Sequence, residues 1–499
     1  MKSEEVGEDI PGRTGTQVVI NLANIIDFAD GQLAPSVYKS LEQEFSLNPS
    51  QLGMITAIRS LLQAISTPFW GWLSDKYSRK KLLAFGSALW GILTILVGLS
   101  TSYHEILIFR ALNGLALAVI VPTSYSLIAD YFPESERGKA FGWIGLTGVL
   151  GAIFGTIFAT TVSGTKPFGI SGWRFAFFAI GGMSIFLSLL VLIFAKDPVR
   201  GAMDKELKGF AQHISEQYTI QWSQVKKILT NKTFLFILIQ GMIGSIPWNA
   251  IAFLILWFQY IGFSDFTSAI LFAVIAMGAA AGNLFGGWIG DKAASWDPNK
   301  GRLIVAQISV FSGIPLSLIL FLLIPRSTDY MWAYLLVGIF TGFMISWVAP
   351  ATNNPIFGEI IEPEARSTLY SLDRLFEGSV AASGTLIVGY LAEKLFGYIS
   401  PGANGIDSLT FAQRQQNIDA LAKAMALSTA VPWTFCLIFF TLVYFTYPKD
   451  RDKTRKILRN RVEQMTVFCP NCNKKVIPTK KYRCPDCKNK LYSDTNKQI

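Results

Sequence analysis

Gly71-Trp72-Leu73-Ser74-Asp75-Lys76-Tyr77-Ser78-Arg79-Lys80-Lys81 decides how this chain folds. An apolar run stops at the glycine. One acid and four bases then fall within seven residues, and a second long apolar run begins at once. That pattern fits a tight turn at a membrane surface between two helices that cross the bilayer.

The composition agrees. Of 499 residues, 51% are hydrophobic, only 16% are charged and 42 are glycine. A soluble chain of this length does not hide so much apolar surface. A span takes about 20 apolar residues, and runs of that kind fall at 17–36, 51–73, 82–101, 105–129, 139–163, 174–195, 233–260, 267–290, 303–324, 331–357, 368–395 and 426–447. Unpaired backbone groups are costly in lipid, so such runs are helices or barrel strands, and runs this long exclude strands. Residues 1–16 are polar and hold no apolar stretch of a secretory signal, so the first span is expected to direct its own insertion.

Lys and Arg set the orientation. They crowd the turn after the second run, the turn after the fourth (Arg137, Lys139), the middle loop 196–232 and the tail after Tyr447. The alternate loops offer little beyond Lys39, Lys166 and Arg326. Both termini and the middle loop are expected on the cytoplasmic side. The net charge of +10 is therefore topogenic, and no nucleic-acid partner is expected.

The middle loop divides the spans six and six. The turn pattern returns as Gly287-Trp288-Ile289-Gly290-Asp291-Lys292, followed by Lys300 and Arg302. A second echo links Glu134-Ser135-Glu136-Arg137-Gly138 to Glu362-Pro363-Glu364-Ala365-Arg366. Two echoes in register predict an all-α membrane protein of twelve transmembrane helices in two six-helix bundles, at 17–195 and 233–447. Around them lie an N-terminal tail (1–16), the middle loop (196–232), a basic linker (448–466) and a small cytosolic domain (467–492). Repeats of this kind place a substrate site near the bilayer midplane. Within the middle loop, Asp204–Asn231 reads as a surface helix or as a flexible tether. The outer loop 397–424 is polar and reads as irregular.

The form G-x-x-x-D-x-x-S-R-K-K resembles the loop signature between the second and third helices of the major facilitator superfamily. The resemblance covers about residues 15–447 and implies a secondary transporter. It implies a gating cluster of Gly71, Asp75, Arg79, Lys80 and Asp130, with Gly287 and Asp291 in the second half. Arg110-Ala111-Leu112-Asn113-Gly114 resembles the superfamily's R-x-x-x-G element. Glycines at 142, 145, 148, 151 and 155 resemble its span-five glycine row, without the Gly-Pro pair of antiporters. The layout of spans one to five resembles Spinster-like lipid transporters, although the span-four Glu that they often carry falls near Leu117 here. The stretch Asn353–Ile360 with Leu372–Glu377 is similar to an uncharacterised group of plant and protist facilitators.

Ionisable residues inside spans are functional candidates by default. Asp27 and Asp30 lie three apart on span one, Arg59 is on span two and Arg110 with Asn113 on span four. Asp373, Arg374 and Glu377 follow on span eleven. One reading is a central cavity where an acid loads a proton, first Asp27 and then Glu377, and an arginine meets an anionic group. The competing reading is structural pairing of Asp27 with Arg59 or Arg110, and of Asp373 with Arg374. Trp248, Trp257, Trp332, Trp347 and Phe357 are candidates for cavity lining or for packing.

In the tail, Cys469-Pro-Asn-Cys472 and Cys484-Pro-Asp-Cys487 are separated by eleven residues. Two such knuckles can hold Zn²⁺ by four thiolates, and a segment this short needs the metal to fold. A zinc ribbon is expected. The redox alternative lacks a thioredoxin-like pattern around it. Cys436 reads as a buried apolar residue. The linker Lys449–Arg461 reads either as a basic helix at the inner leaflet or as solvated chain.

The sequence therefore predicts a transporter of a small organic solute, secondary active or facilitative. An amphiphilic substrate and proton coupling both stay open. The alternative is a transporter-like receptor that signals through its zinc-ribbon tail to a cytosolic protein. Membrane lipid is the surrounding partner. No G-x-x-x-x-G-K-[ST] pattern is present. Only His104 and His213 occur, and no nucleophile constellation is visible, so an enzyme is not expected.

Overall fold

The apolar runs wind into helices, which pair every backbone group internally as hydrocarbon demands. The computed structural model describes residues 10–132, 134–198, 222–361, 366–465, 467–469, 471–472, 474–476 and 487. The first half holds α1 (Arg13–Ser36), α2 (Tyr38–Phe45), α3 (Pro49–Lys76), α4 (Arg79–Leu99), α5 (Tyr103–Leu117), α6 (Ile120–Tyr131), α7 (Glu134–Ser163) and α8 (Gly172–Phe194). The second half holds α9 (Trp222–Leu229), α10 (Lys232–Gly244), α11 (Ile246–Ala250), α12 (Leu254–Ile261), α13 (Asp265–Trp296), α14 (Gly301–Leu318) and α15 (Met331–Ile345). It continues through α16 (Asn354–Glu359), α17 (Arg366–Ala381), α18 (Ser383–Tyr390) and α19 (Phe411–Met465). A short antiparallel pair follows, β1 (Val467–Cys469) with β2 (Lys474–Val476).

Among the described residues, ten helical stretches are long and apolar enough to cross a membrane. α1 and α3, at 24 and 28 residues, are not among them. They are the helices that carry Asp27, Asp30, Arg59 and Gln63.

Local chemistry sets the helix starts. Asn48 accepts from Gln51 N at 2.9 Å while the Gln51 side chain accepts from Asn48 N at 3.0 Å, with Pro49 in the first helical position. This reciprocal cap fixes where α3 begins. Ser264 caps α13 by accepting from Thr267 N at 3.1 Å.

Four expected spans are interrupted. Residues 105–129 divide between α5 and α6, 233–260 divide at Ser245 ahead of Pro247, and 368–395 divide at Ala382. In 331–357, α15 stops at Ile345 and Ala349–Asn353 winds as a π-helix containing Pro350. Proline withholds a backbone donor, and π turns re-satisfy the carbonyls it strands.

The polar loop expected over 397–424 is shorter than the sequence reading had it, because α19 already begins at Phe411. Its buried residues Ile418, Leu421, Ala422 and Met425 follow helical spacing, and that periodicity outweighs the polar composition around it. α19 also continues past Tyr447 to Met465, so the linker 449–461 is helix. It is docked there. Arg451 donates to Pro298 O at 2.6 Å and Asn299 Oδ1 at 2.7 Å, and Thr454 to Ile360 O at 2.9 Å. Of Asp204–Asn231, the residues before Trp222 lie outside the described set, as do the side chains of Glu134–Gly138 and Glu362–Arg366.

Close packing follows the small residues. α1 lies along α7, and α4 along α8. A Cβ on Gly151 or Gly155 would strike the α1 backbone at Ile25 or Ala29, whereas Gly142 and Gly145 face open space. The glycine row thus splits by role, with one part for helix approach and one part beside empty volume. The two turn signatures also sit alike. A Cβ on Gly71 would come to 3.8 Å from Pro122 Cβ, and one on Gly287 to 3.8 Å from Pro350 Cβ.

The halves meet through α3 against α17 and α18, and through α7 against α13. Their polar contacts gather at the end away from the signature turns, called here the far end. Lys39 Nζ pairs with Asp265 at 3.1 Å, Thr385 donates to Gly53 O at 2.9 Å and Ser400 to Leu47 O at 3.0 Å.

Gly155→Leu should therefore destabilise the protein by about 1–3 kcal/mol through overpacking. Gly142→Leu should not. Thermal unfolding of both variants in the same detergent checks this, and equal melting temperatures would contradict the packing just described.

Candidate functional site

Between the halves lie two contiguous chambers, each of about 330 Å³, within the range of small-molecule sites. They share Phe28, Gln32, Trp248, Ile251 and Phe272. One chamber is polar. Asp27, Arg59, Gln63, Thr56, Ser60 and Asn249 face it. The other is apolar, walled by Val149, Leu254, Ile275, Leu320, Phe321 and Trp433, with Asn283 and Thr341 as isolated polar groups. Gly145 and Gly148 border it, which explains the open space beside Gly145.

The four charges of the first half form one network with distinct parts. Asp30 is completely buried and accepts four donors. These are Arg110 Nη1 at 3.1 Å, Arg59 Nε at 3.2 Å, Trp90 Nε1 at 3.2 Å and Thr94 Oγ1 at 2.8 Å. Asn113 donates to Thr94 at 2.9 Å. Asp27 accepts Arg59 Nη2 at 3.2 Å, and Arg59 Nη1 also reaches Gln63 at 3.2 Å. Two acids face two arginines, so the site is neutral in a medium that penalises net charge. Asp30, Arg110 and Asn113 lie behind the chamber wall. Asp27 and Arg59 line it.

Of the second-half candidates, Asp373 is buried, Glu377 half-buried and Arg374 exposed. The Glu377 carboxyl abuts Gly241 of α10. None of the three lines either chamber. Of the five candidate aromatics only Trp248 lines the two chambers. Trp257, Trp347 and Phe357 are packed against other rings, and Trp332 is exposed.

At the signature turn, Arg79 is 1% exposed. It pairs with Asp130, reaches Asp197 through Nε at 2.8 Å, and donates to Ser126 Oγ at 3.0 Å and Pro198 O at 2.8 Å. Its backbone N–H also donates to Asp197 at 2.7 Å, which places a carboxylate at the N-terminus of α4. Among the described residues these partners come from the first half and the start of the middle loop, none from the second half. Gly71 sits against α6, Lys80 is half-buried, and the side chain of Asp75 lies outside the described set. Asp197 is absent from the sequence reading, and its only signal was an Asp-Pro step after an apolar run. The second half repeats the brace. Arg302 reaches Asp291 at 2.9 Å, Glu359 at 3.7 Å and Ala351 O at 3.0 Å. Glu359, which also accepts from Tyr447, takes the place that Asp130 has in the first half.

In the tail, the Sγ atoms of Cys469, Cys472 and Cys487 lie within 4.8 Å of one another, with Cys469 and Cys487 at 3.6 Å. Tetrahedral zinc with Zn–S bonds near 2.3 Å sets sulfurs about 3.8 Å apart, so these three fit a metal. Cys484 lies outside the described set.

A profile of the Major Facilitator Superfamily matches residues 20–385. Protein spinster homolog 1 of Xenopus tropicalis is 20% identical over 395 residues, covering 76% of this chain and 72% of that protein. Protein spinster of Drosophila melanogaster is 22% identical over 430 residues, covering 82% of this chain and 67% of that protein. The crystal structure of a bacterial homologue of the human lysosomal transporter Spinster, inward-facing and unoccupied, superposes with a TM-score of 0.75 at 19% identity. It covers 88% of this chain and 98% of that one, and the likeness is one of fold.

The network assigns different costs to its two acids. Asp30→Asn leaves Arg110 and Arg59 with too little counter-charge and should destabilise the protein by about 3–5 kcal/mol. Asp27→Asn should cost much less. Unfolding in detergent, followed for both variants, checks the order, and a larger loss for Asp27→Asn would refute it.

Proposed function

This chain belongs to the Major Facilitator Superfamily and is a multi-pass membrane transporter of a small solute, and we propose that its substrate is an amphiphilic organic molecule moved by alternating access. The observation that carries this is the pair of joined chambers. A polar or anionic group would sit at Arg59 and Gln63, and an apolar body at Phe272, Phe321 and Trp433. Arginine suits a carboxylate or phosphate because its donors form a rigid fork.

With α1 and α3 counted as spans, twelve helices cross the bilayer in two bundles, as the two matching glycine–proline contacts favour. The basic signature turns belong on the cytoplasmic side by the positive-inside rule, which puts both termini there. The far end then faces outward, and its inter-half contacts make this the inward-facing state. Arg79 with Asp130 and Asp197, and Arg302 with Asp291 and Glu359, act as braces that keep each bundle rigid while it rocks.

Asp27 is the residue that can couple transport to protons. It borders the polar chamber and shares one arginine, whereas Asp30 is committed to four donors. Protonating Asp27 would free Arg59 for the substrate's anionic group. Asp373 and Glu377, one helical turn apart on α17, are the second candidate pair.

Zn²⁺ fits Cys469, Cys472 and Cys487, with Cys484 as the fourth ligand, and would supply the folding energy of the tail. A second reading is favoured by the unbroken helix from the membrane to Met465. The bundle would bind a ligand, and the ribbon would report it to a cytosolic protein.

Purified protein in liposomes, offered a pool of metabolites and lipids under an imposed proton gradient, should accumulate an amphiphile selectively. Asp27→Asn should keep binding but lose the response to the gradient. Binding without accumulation by the wild type would favour the receptor reading. Separately, elemental analysis of the full-length chain should find one zinc per molecule, and Cys469→Ser should lose it. A metal-free wild type with an ordered tail would end the ribbon assignment.

A further inference from the structure

Glu42 of α2 is completely buried at the far end, where the halves meet. Its Oε2 lies 2.9 Å from the hydroxyl oxygen of Tyr260, and its Oε1 is hydrogen-bonded to the hydroxyl of Tyr398. The two tyrosine oxygens lie 2.6 Å apart. Their rings meet edge to face, centroids 5.7 Å apart. Glu42 comes from the first half and both tyrosines from the second.

Three oxygen contacts close this triangle, and each needs a proton between its oxygens, because facing lone pairs repel. A tyrosine hydroxyl carries one proton. Two tyrosines therefore serve two contacts, and the third proton has one source left, the Glu42 carboxyl. Protonated, Glu42 completes a cycle in which it donates to Tyr260, Tyr260 to Tyr398, and Tyr398 back to Glu42. Ionised, it leaves one 2.6 Å contact empty.

The charged neighbours are engaged elsewhere. Lys39 pairs with Asp265, which also accepts from Gln259 at 2.9 Å. Arg414 donates to the carbonyls of Tyr260 at 2.7 Å and Gln259 at 3.4 Å. Glu44 takes Arg174 at 2.6 Å and Trp173 at 2.5 Å, and Arg326 pairs with Asp419 at 2.9 Å. Asn417 brackets the backbone of Ile399 and also reaches the Tyr260 hydroxyl, whose second lone pair stays open to the cycle.

We propose that Glu42, Tyr260 and Tyr398 form a proton-operated latch, which holds one proton while the halves are shut at the far end and releases it when they part. The proposal rests on alternating access. Burial pushes the Glu42 carboxyl up to about 8, against the pull of the two tyrosine hydrogen bonds. An exposed glutamate titrates near 4.3, so opening lowers its value. The closed state is thus favoured fully below about pH 4.3, and the preference fades as pH rises through about 8. Between those values the open-to-closed ratio rises up to about tenfold per pH unit.

Unnatural amino acids at Phe168 and Phe411, exposed on opposite halves at that end, can carry a distance-reporting label pair on full-length protein in nanodiscs without substrate. Opening should increase from pH 5 to pH 9 in the wild type. Glu42→Gln, a neutral donor and acceptor, should stay closed with a flat profile. Tyr260→Phe leaves one contact and one tyrosine proton for it, so its pH dependence should shrink, which keeps the test decisive if Glu42→Gln does not fold. A flat wild-type profile, or a Glu42→Gln or Tyr260→Phe profile equal to the wild type, overturns the latch. Because no substrate is present, a failed latch in a protein that still transports leaves the transport reading standing. A working latch without flux points the other way.

Discussion

The carboxylate of Asp30 ties the first half together. Its four donors come from α3, α4 and α5, so one buried anion on α1 fixes the relation of four helices. Removing two charges from water is costly, and only a fully satisfied network offsets that cost. Arg59 is held by Asp30 on one side and lent to Asp27 on the other. The charged lining of the polar chamber is therefore the loose edge of a structural clamp. A change of charge at Asp27 would leave the Asp30 clamp, and with it the frame of the bundle, in place.

The two bundles use one architectural idea at their signature ends with different parts. Each has a glycine against a proline on a neighbouring helix, and an arginine spanning two acids. In the first half Asp197 also caps α4, whereas in the second half Glu359 is shared with Tyr447 of α19. The second brace thereby joins the last helix to the bundle, and Arg451 and Thr454 extend the join into the tail.

Legibility in the sequence followed the range of the interaction. The signature turn, the apolar runs and the acids on α1 are local patterns, so the fold and the ionisable set could be read directly. Which acid meets which arginine could not, because Asp27, Asp30, Arg59 and Arg110 are brought together by packing alone. Glu42 and Tyr398 lie in short polar connections that resemble ordinary loops, and nothing local shows that they meet 356 residues apart. The helical start of α19 was visible in the spacing of Ile418, Leu421, Ala422 and Met425, but polar neighbours masked it. Asp373 and Glu377 stood out as intramembrane acids, yet their chemistry faces α10 rather than the chambers.

The length of α19 has a mechanical side. At 1.5 Å per residue, its 18 residues beyond Tyr447 make a rod about 27 Å long, docked near its base through Arg451 and Thr454. A rigid rod of that reach turns a tilt of ten degrees in the second half into a sweep of roughly 5 Å at its tip. The cysteine cluster follows that tip, so a rotation too small to notice inside the bundle becomes a displacement nearly as wide as a helical turn at the metal-binding knuckle.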